Sequence, residues 1–183
     1  MRNPTRYRIL SLGICFVLIS VDCSYKSRPS LRLSVKPEPT MGDSVSDGQV
    51  ALFLLDEDPI YLAMNKVPTD QQATQVHQAN PKLRVLAGKL NARRFGAYSL
   101  GPDVFVFLDQ SRPLWESHVV RSVQSDRDGS SRVDNLKRGP YWLMGYKQGK
   151  ETEAFWLQYV TITDGATEVV LERGNALYYD RRS

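Results

Sequence analysis

Residues 118–147 read HVVRSVQS, DRDG, SSRVDNL, KRG, PYWLMGYK, and the punctuation of this stretch decides the fold. Short runs rich in β-branched and aromatic residues are cut by Asp128-Gly129 and by Gly139-Pro140. An Asp followed by a Gly pairs a residue that tolerates tight-turn geometry with one free to take positive φ, which a strand reversal needs. The stretch therefore predicts strand, turn, strand, corner, strand. The pattern continues on both sides: LRVLAGKL (83–90), DVFVFLD (103–109), AFWLQYVTIT (154–163) and TEVVLER (167–173) read as further strands. Gly101-Pro102, Arg112-Pro113, Gly149, Asp164-Gly165 and Gly174-Asn175 separate them. Strands at this spacing predict a mainly β chain, an antiparallel Greek-key β-sandwich of about seven strands. No helix of crossover length intervenes in this reading, which disfavours a parallel α/β sheet.

Upstream, QVALFLLDEDPIYLA (49–63) reads as strand, polar turn, strand. TDQQATQVHQA (69–79) predicts one short surface helix, capped by Thr69 or Asp70 and stopped by Asn80-Pro81. The expectation is that 49–82 packs on a sandwich spanning 83–175, with 176–183 as a tail. Residues 23–48 hold several serines and prolines and no long periodic apolar face, so they read as a flexible tether, although Leu31–Val35 has strand character.

The first 22 residues read as an address. Arg2, Arg6 and Arg8 precede ILSLGICFVLISV (9–21), a basic region followed by an apolar run, as in a secretory signal peptide. Thirteen residues span about 20 Å as a helix, short of a hydrocarbon core of roughly 30 Å. A cleaved leader and an uncleaved membrane anchor both stay open, and both place the domain outside the cytoplasm. Cys23 follows the run and resembles a bacterial lipoprotein acceptor, although Asp22 stands where that pattern has a small residue. Cys15 lies inside the leader, so the mature chain would keep one cysteine and no internal disulfide.

The chain has 183 residues and a formal net charge of +4. Arg2, Arg6 and Arg8 against Asp22 place half of that excess in the leader. The body is close to neutral, with charges interspersed rather than gathered into a stripe, so nucleic acid is not an expected partner.

Ser125–Tyr141, read as a whole, resembles the core of carboxypeptidase regulatory-like domains, a transthyretin-like β-sandwich. That family has a D-x-D-G hairpin turn, a polar/apolar strand, then a leucine, a glycine and a tyrosine opening the next strand. Ala87-Gly88-Lys89-Leu90 resembles its first strand, Ser99–Leu108 its second, and Val160–Leu171 its last hairpin around Asp164-Gly165. The resemblance covers about residues 83–173. It implies a seven-stranded sandwich serving as an accessory, spacer or adhesion-like domain, and it implies no catalytic residues.

The residues themselves point the same way. His77 and His118 belong to no metal or triad pattern. Asp126 and Asp128 lack the further acids of a calcium loop and read as turn residues; Asp56, Glu57 and Asp58 read as a solvated turn ended by Pro59. No metal, cofactor or catalytic set is expected, and the protein reads as a non-enzyme. The aromatics carry more. Alternation puts Tyr141, Leu143 and Gly145 on one face of 140–147 and Trp142, Met144 and Tyr146 on the other. Read as a strand, 103–109 places Phe105 and Phe107 opposite Val104, Val106 and Leu108. Both faces are then apolar, so something must cover the second one. Residues 49–82 are the favoured cover, because large exposed apolar patches are uncommon on monomers. The alternative is an exposed platform of Phe105, Phe107, Trp115, Trp142 and Tyr146 that binds a ligand; Trp156 shares a face with Val160 and Ile162 and fits a core. The reading is an exported accessory module that docks an envelope protein or acts as a spacer; the alternative is a carbohydrate-binding module.

Overall fold

The computed structural model describes residues 28–36, 49–64, 81–94, 101–149 and 152–181. Eight strands lie among them: β1 Ser30–Val35, β2 Ala51–Leu55, β3 Val119–Gln124, β4 Ser130–Asp134, β5 Gly139–Gln148, β6 Thr152–Ile162, β7 Ala166–Leu171 and β8 Tyr178–Arg181. Three helices accompany them: α1 Pro59–Met64, α2 Pro81–Arg94 and α3 Asp103–Trp115. The strands form a three-stranded sheet in the order β4-β1-β7 and a five-stranded sheet in the order β3-β2-β5-β6-β8. This is the mainly β, two-sheet sandwich that the turn spacing predicts. All pairings are antiparallel except β1 with β7, which is parallel.

Alternation along β5 and β6 explains the layering. Leu143, Ala154, Trp156, Val160 and Ile162 face the small sheet and pack with Leu31, Leu33, Val133 and Leu171. The other parity, Met144, Phe155 and Leu157, faces the helices and packs with Ile60, Leu83, Leu90, Val104 and Phe107. The molecule thus has a third layer, and the second apolar face of the sheet is covered by helices.

The turns behave as their chemistry dictates. Gly129 takes φ 82°, and a Cβ there would lie 2.5 Å from the Val35 carbonyl oxygen. Only glycine fits that approach. The Asp126 carboxylate accepts the Ser130 amide at 2.6 Å and closes the β3–β4 turn. Gly139 opens β5 at φ 139°. Tyr141 then buries its ring and donates its hydroxyl to the Lys137 carbonyl at 3.0 Å, which holds the corner.

Several expectations need correction. LRVLAGKL and DVFVFLD are helical, in α2 and α3. Leu83, Ala87 and Leu90 are buried while Val85 is 61% exposed, the period of a helix and not of a strand. Val104, Phe107, Leu108, Ser111, Leu114 and Trp115 are buried along α3, and Val106 is exposed. An alternating apolar run fits either period at short length; neighbours in space decide between them. IYLA is also helical. Asp58 caps α1 by accepting the Ile60 amide at 2.9 Å, and Pro59 occupies the first helical position, where a missing N–H is harmless.

Ser30–Val35, assigned by composition to the tether, is the middle strand of the small sheet, with Leu31 and Leu33 buried. Within 49–82, β2 lies between β3 and β5 inside the large sheet. Asp164-Gly165 carries the chain from one sheet to the other rather than closing a hairpin. The strands likened to the family's first and second are therefore helices, while the stretch 126–129 forms a strand reversal and Tyr141 stands at the opening of β5. The leader, Cys23, His77 and the 69–79 helix lie outside the described residues. Among the described residues, no helix is long and apolar enough to cross a membrane.

Candidate ligand-binding cleft

Helix α3 does more than cover the sheet. Its buried stripe faces the core, and beside it runs a second stripe: Phe105, Leu108, Asp109 and Arg112, at i, i+3, i+4 and i+7. These residues, with Trp115, form one wall of a cleft; Tyr146 and Gln148 of β5 form the other. The cavity between them holds about 130 Å³. Tyr146 and Gln148 point this way because they share the helix-facing parity of β5 with Met144.

The aromatic walls are braced from behind. Tyr146 lies parallel to Phe53, with ring centroids 5.8 Å apart and planes 9° apart. Phe53 meets Trp115 edge to face at 5.5 Å. Phe105 stands edge-on to Tyr178 at 5.8 Å. Such pairs add about 0.5–1.5 kcal/mol each beyond area burial, so the walls are held before any ligand arrives. The Trp115 indole N–H donates to Ser111 Oγ at 3.1 Å, so this ring offers a surface and not a donor.

Polar groups ring the opening. Arg112 makes a loose exposed pair with Glu116 at 3.6 Å, weak enough to be exchanged for a ligand. The Asp109 carboxylate has no ion pair among the described residues. Pro113, four residues on, has no N–H to return to the Asp109 carbonyl, so that oxygen lacks its usual helical donor. The exposed Gln148 supplies an amide with both donor and acceptor.

The aromatic residues singled out in the sequence divide cleanly. Phe105, Trp115 and Tyr146 come together in this cleft. Phe107 is fully buried in the helix–sheet core and reaches no ligand. Trp142 lies at the opposite end of β5, half-buried, with the Arg94 guanidinium 4.7 Å above its ring and the exposed Tyr159 edge-on at 5.3 Å. Arg94 is held there by Asp58 through bidentate contacts of 2.6 and 2.8 Å, so Asp58 is part of a half-buried ion pair and not of a solvated turn. Trp156 is buried and donates to the Glu172 carbonyl at 2.9 Å. Asp109, Arg112 and Gln148 were not singled out. The helical phase of 103–115 would have found the first two.

His118 Nδ1 contacts Asp56 at 2.9 Å on the turn before β3, and neither residue lines the cleft. Among the described residues no group of three or more His, Cys, Asp or Glu side chains is placed to hold a metal. Among the described residues, the carboxylates with shifted pKa values are Asp126, raised chiefly by its hydrogen bond with Asp128, and Asp128, lowered chiefly by the same bond. Both belong to the β3–β4 turn.

No family model matches the sequence, and no curated protein matches it. Among solved structures, the chain is similar to a Pseudomonas aeruginosa protein described as a candidate carbohydrate binding protein. That likeness has 14% identity and a TM-score of 0.37, and covers 80% of this chain and 89% of that one. It is also similar to the pilus backbone of Streptococcus pneumoniae, with 12% identity and a TM-score of 0.30 over 79% of this chain and 41% of that one. At these values neither likeness bears on what this chain binds.

Proposed function

We propose that this chain is an exported, non-enzymatic binding module that holds a carbohydrate in the cleft between α3 and β5. One observation carries the reading: Phe105, Trp115 and Tyr146 line one cavity together with Asp109, Arg112 and Gln148. A pyranose ring presents C–H faces and a girdle of hydroxyls. The C–H faces suit braced aromatic walls, and the hydroxyls suit carboxylate, guanidinium and amide groups at the rim. Polar groups placed beside aromatic rings give orientation without chemistry, which fits an accessory role. The basic and apolar leader supports export, and the D-x-D-G turn with the Tyr141 corner supports kinship with carboxypeptidase regulatory-like domains.

The test is binding of the chain from residue 24 to insoluble polysaccharides and soluble oligosaccharides, with Tyr146→Ala and Asp109→Asn alongside. Saturable binding weakened about ten-fold by Tyr146→Ala is expected. Binding untouched by both substitutions, or no binding to any glycan, would contradict the reading. Docking of an envelope protein is the second reading. It is favoured by Tyr159, 59% exposed and packed on Trp142 at the far end of the sheet. Cross-linking at Tyr159 would test it.

A further inference from the structure

Where the two sheets part beside the end of β5, a second and smaller cavity of about 50 Å³ opens. Trp156 and Tyr179 wall it, and Lys36, Arg127 and Lys147 converge on it from three elements distant in sequence. None of these three cations has an ion pair among the described residues. A fourth, Arg173, lies 5.6 Å over the Tyr179 ring. Among the described residues Asp126 is the one acid lining the cavity, and its carboxylate is engaged by the Ser130 amide at 2.6 Å. The cavity has room for one carboxylate or phosphate group.

Its position ties it to the cleft. Tyr146 and Gln148 line the cleft, while Lys147 between them lines this cavity on the opposite face of β5. Both open at the β5–β6 end of the large sheet, on opposite faces of it, so a polymer seated by one ring in the cleft reaches the cations by running over that end. We propose that the sandwich mouth bounded by Lys36, Arg127 and Lys147 receives the anionic group of the glycan held in the cleft, so that the ligand class is an acidic polysaccharide. The inference rests on the carbohydrate reading of the cleft and adds the charge of the ligand.

Polygalacturonate and its neutral methyl ester share one backbone and separate the two ideas. Affinities for both, and for polyglutamate as a charged polymer without sugar, are measured on the chain from residue 24 and on the Lys36→Gln/Lys147→Gln and Tyr146→Ala variants. Glutamine keeps most of each stem, and a thermal melt confirms folding. The expected result is tighter binding of the acid than of the ester, a preference cut on the order of ten-fold in the double variant, and loss of both ligands in Tyr146→Ala. Equal binding of acid and ester, unchanged in the double variant, overturns the inference and leaves the carbohydrate reading standing. Polyglutamate bound as tightly as polygalacturonate, with Tyr146→Ala without effect, overturns it by showing charge alone. Binding of none of the polymers overturns both.

Discussion

The five-stranded sheet buries both faces, but the two are closed by different means. Toward the small sheet, Leu143, Ala154, Val160 and Ile162 meet Leu31, Leu33 and Leu171, a contact made largely of aliphatic groups. Toward the helices, Phe53, Tyr146, Phe155 and Tyr178 meet Phe105, Phe107 and Trp115. Sheets of matching twist pack flush, so their inner faces interdigitate with little space left over. A helix laid on a sheet touches along a line, and its margin leaves a crevice that large rings fill only in part. The cleft lies at such a margin, beside α3. The flush face is filled by its own side chains, whereas the margin of the helix face leaves the cleft that we propose as the binding site.

That contrast can be broken most forcefully in the helix–sheet core. Phe107→Ala or Phe155→Ala should cost about 3–5 kcal/mol, since each removes a fully buried ring. Urea unfolding measures it, and a cost near that of an exposed site would mean that the helices are not part of the cooperative unit. Next comes the clamp between α1 and α2. Asp58→Ala removes a helix cap and leaves Arg94 without its half-buried partner, an expected loss of about 2–4 kcal/mol by the same measurement. On the flush side, Gly129→Ala forces a side chain onto positive φ against the Val35 carbonyl, for about 2–3 kcal/mol. Its melt should shift downward, with affinity for a neutral glycan unchanged.

The smallest effect concerns pH. The Asp126 carboxyl is raised above its ordinary value, so the folded state holds that proton more tightly; the stability it contributes is present at low pH and fades as pH rises through the raised value. Asp128 is lowered, so its contribution is present above the ordinary carboxylate value and is lost as pH falls through the depressed one. The two oppose each other. Asp126→Asn keeps the acceptor for the Ser130 amide and removes the like charge. It should leave stability at pH 7 unchanged or slightly raised, and the difference between its melt series and that of the unsubstituted protein across the acid range should reflect the lost Asp126 titration alone. A large loss at pH 7 would contradict this account of the turn.

The two faces also differ in how legible they were. Alternation along 140–147 places Leu143 and Met144 on opposite sides, and the structure puts them in different cores. Asp128-Gly129 and Gly139 mark reversals by chemistry that no neighbour overrides. The helix layer was hidden, because Val104 to Leu108 is both β-branched and alternating and reads as a strand until Pro102, the length of the run and the demand of the sheet below are weighed together. The cleft inherited that blindness. Its aromatic members stood out by size, whereas Asp109 and Arg112 join Phe105 only through the helical period. Asp58 looked like a turn residue because its partner Arg94 lies 36 residues away in sequence.

Three tryptophans report on three places: Trp115 in the cleft, Trp142 under Arg94 at the far end, and Trp156 at the sandwich mouth. Their indole N–H signals in a proton–nitrogen NMR spectrum, assigned by single Trp→Phe variants, test the central claim directly. During titration with soluble cello-, xylo-, manno- and galacturono-oligosaccharides, the Trp115 signal should move saturably and the Trp142 signal should stay in place. A saturable shift of Trp142 with Trp115 unmoved, or no shift at any of the three, would contradict the assignment of the cleft as the binding site.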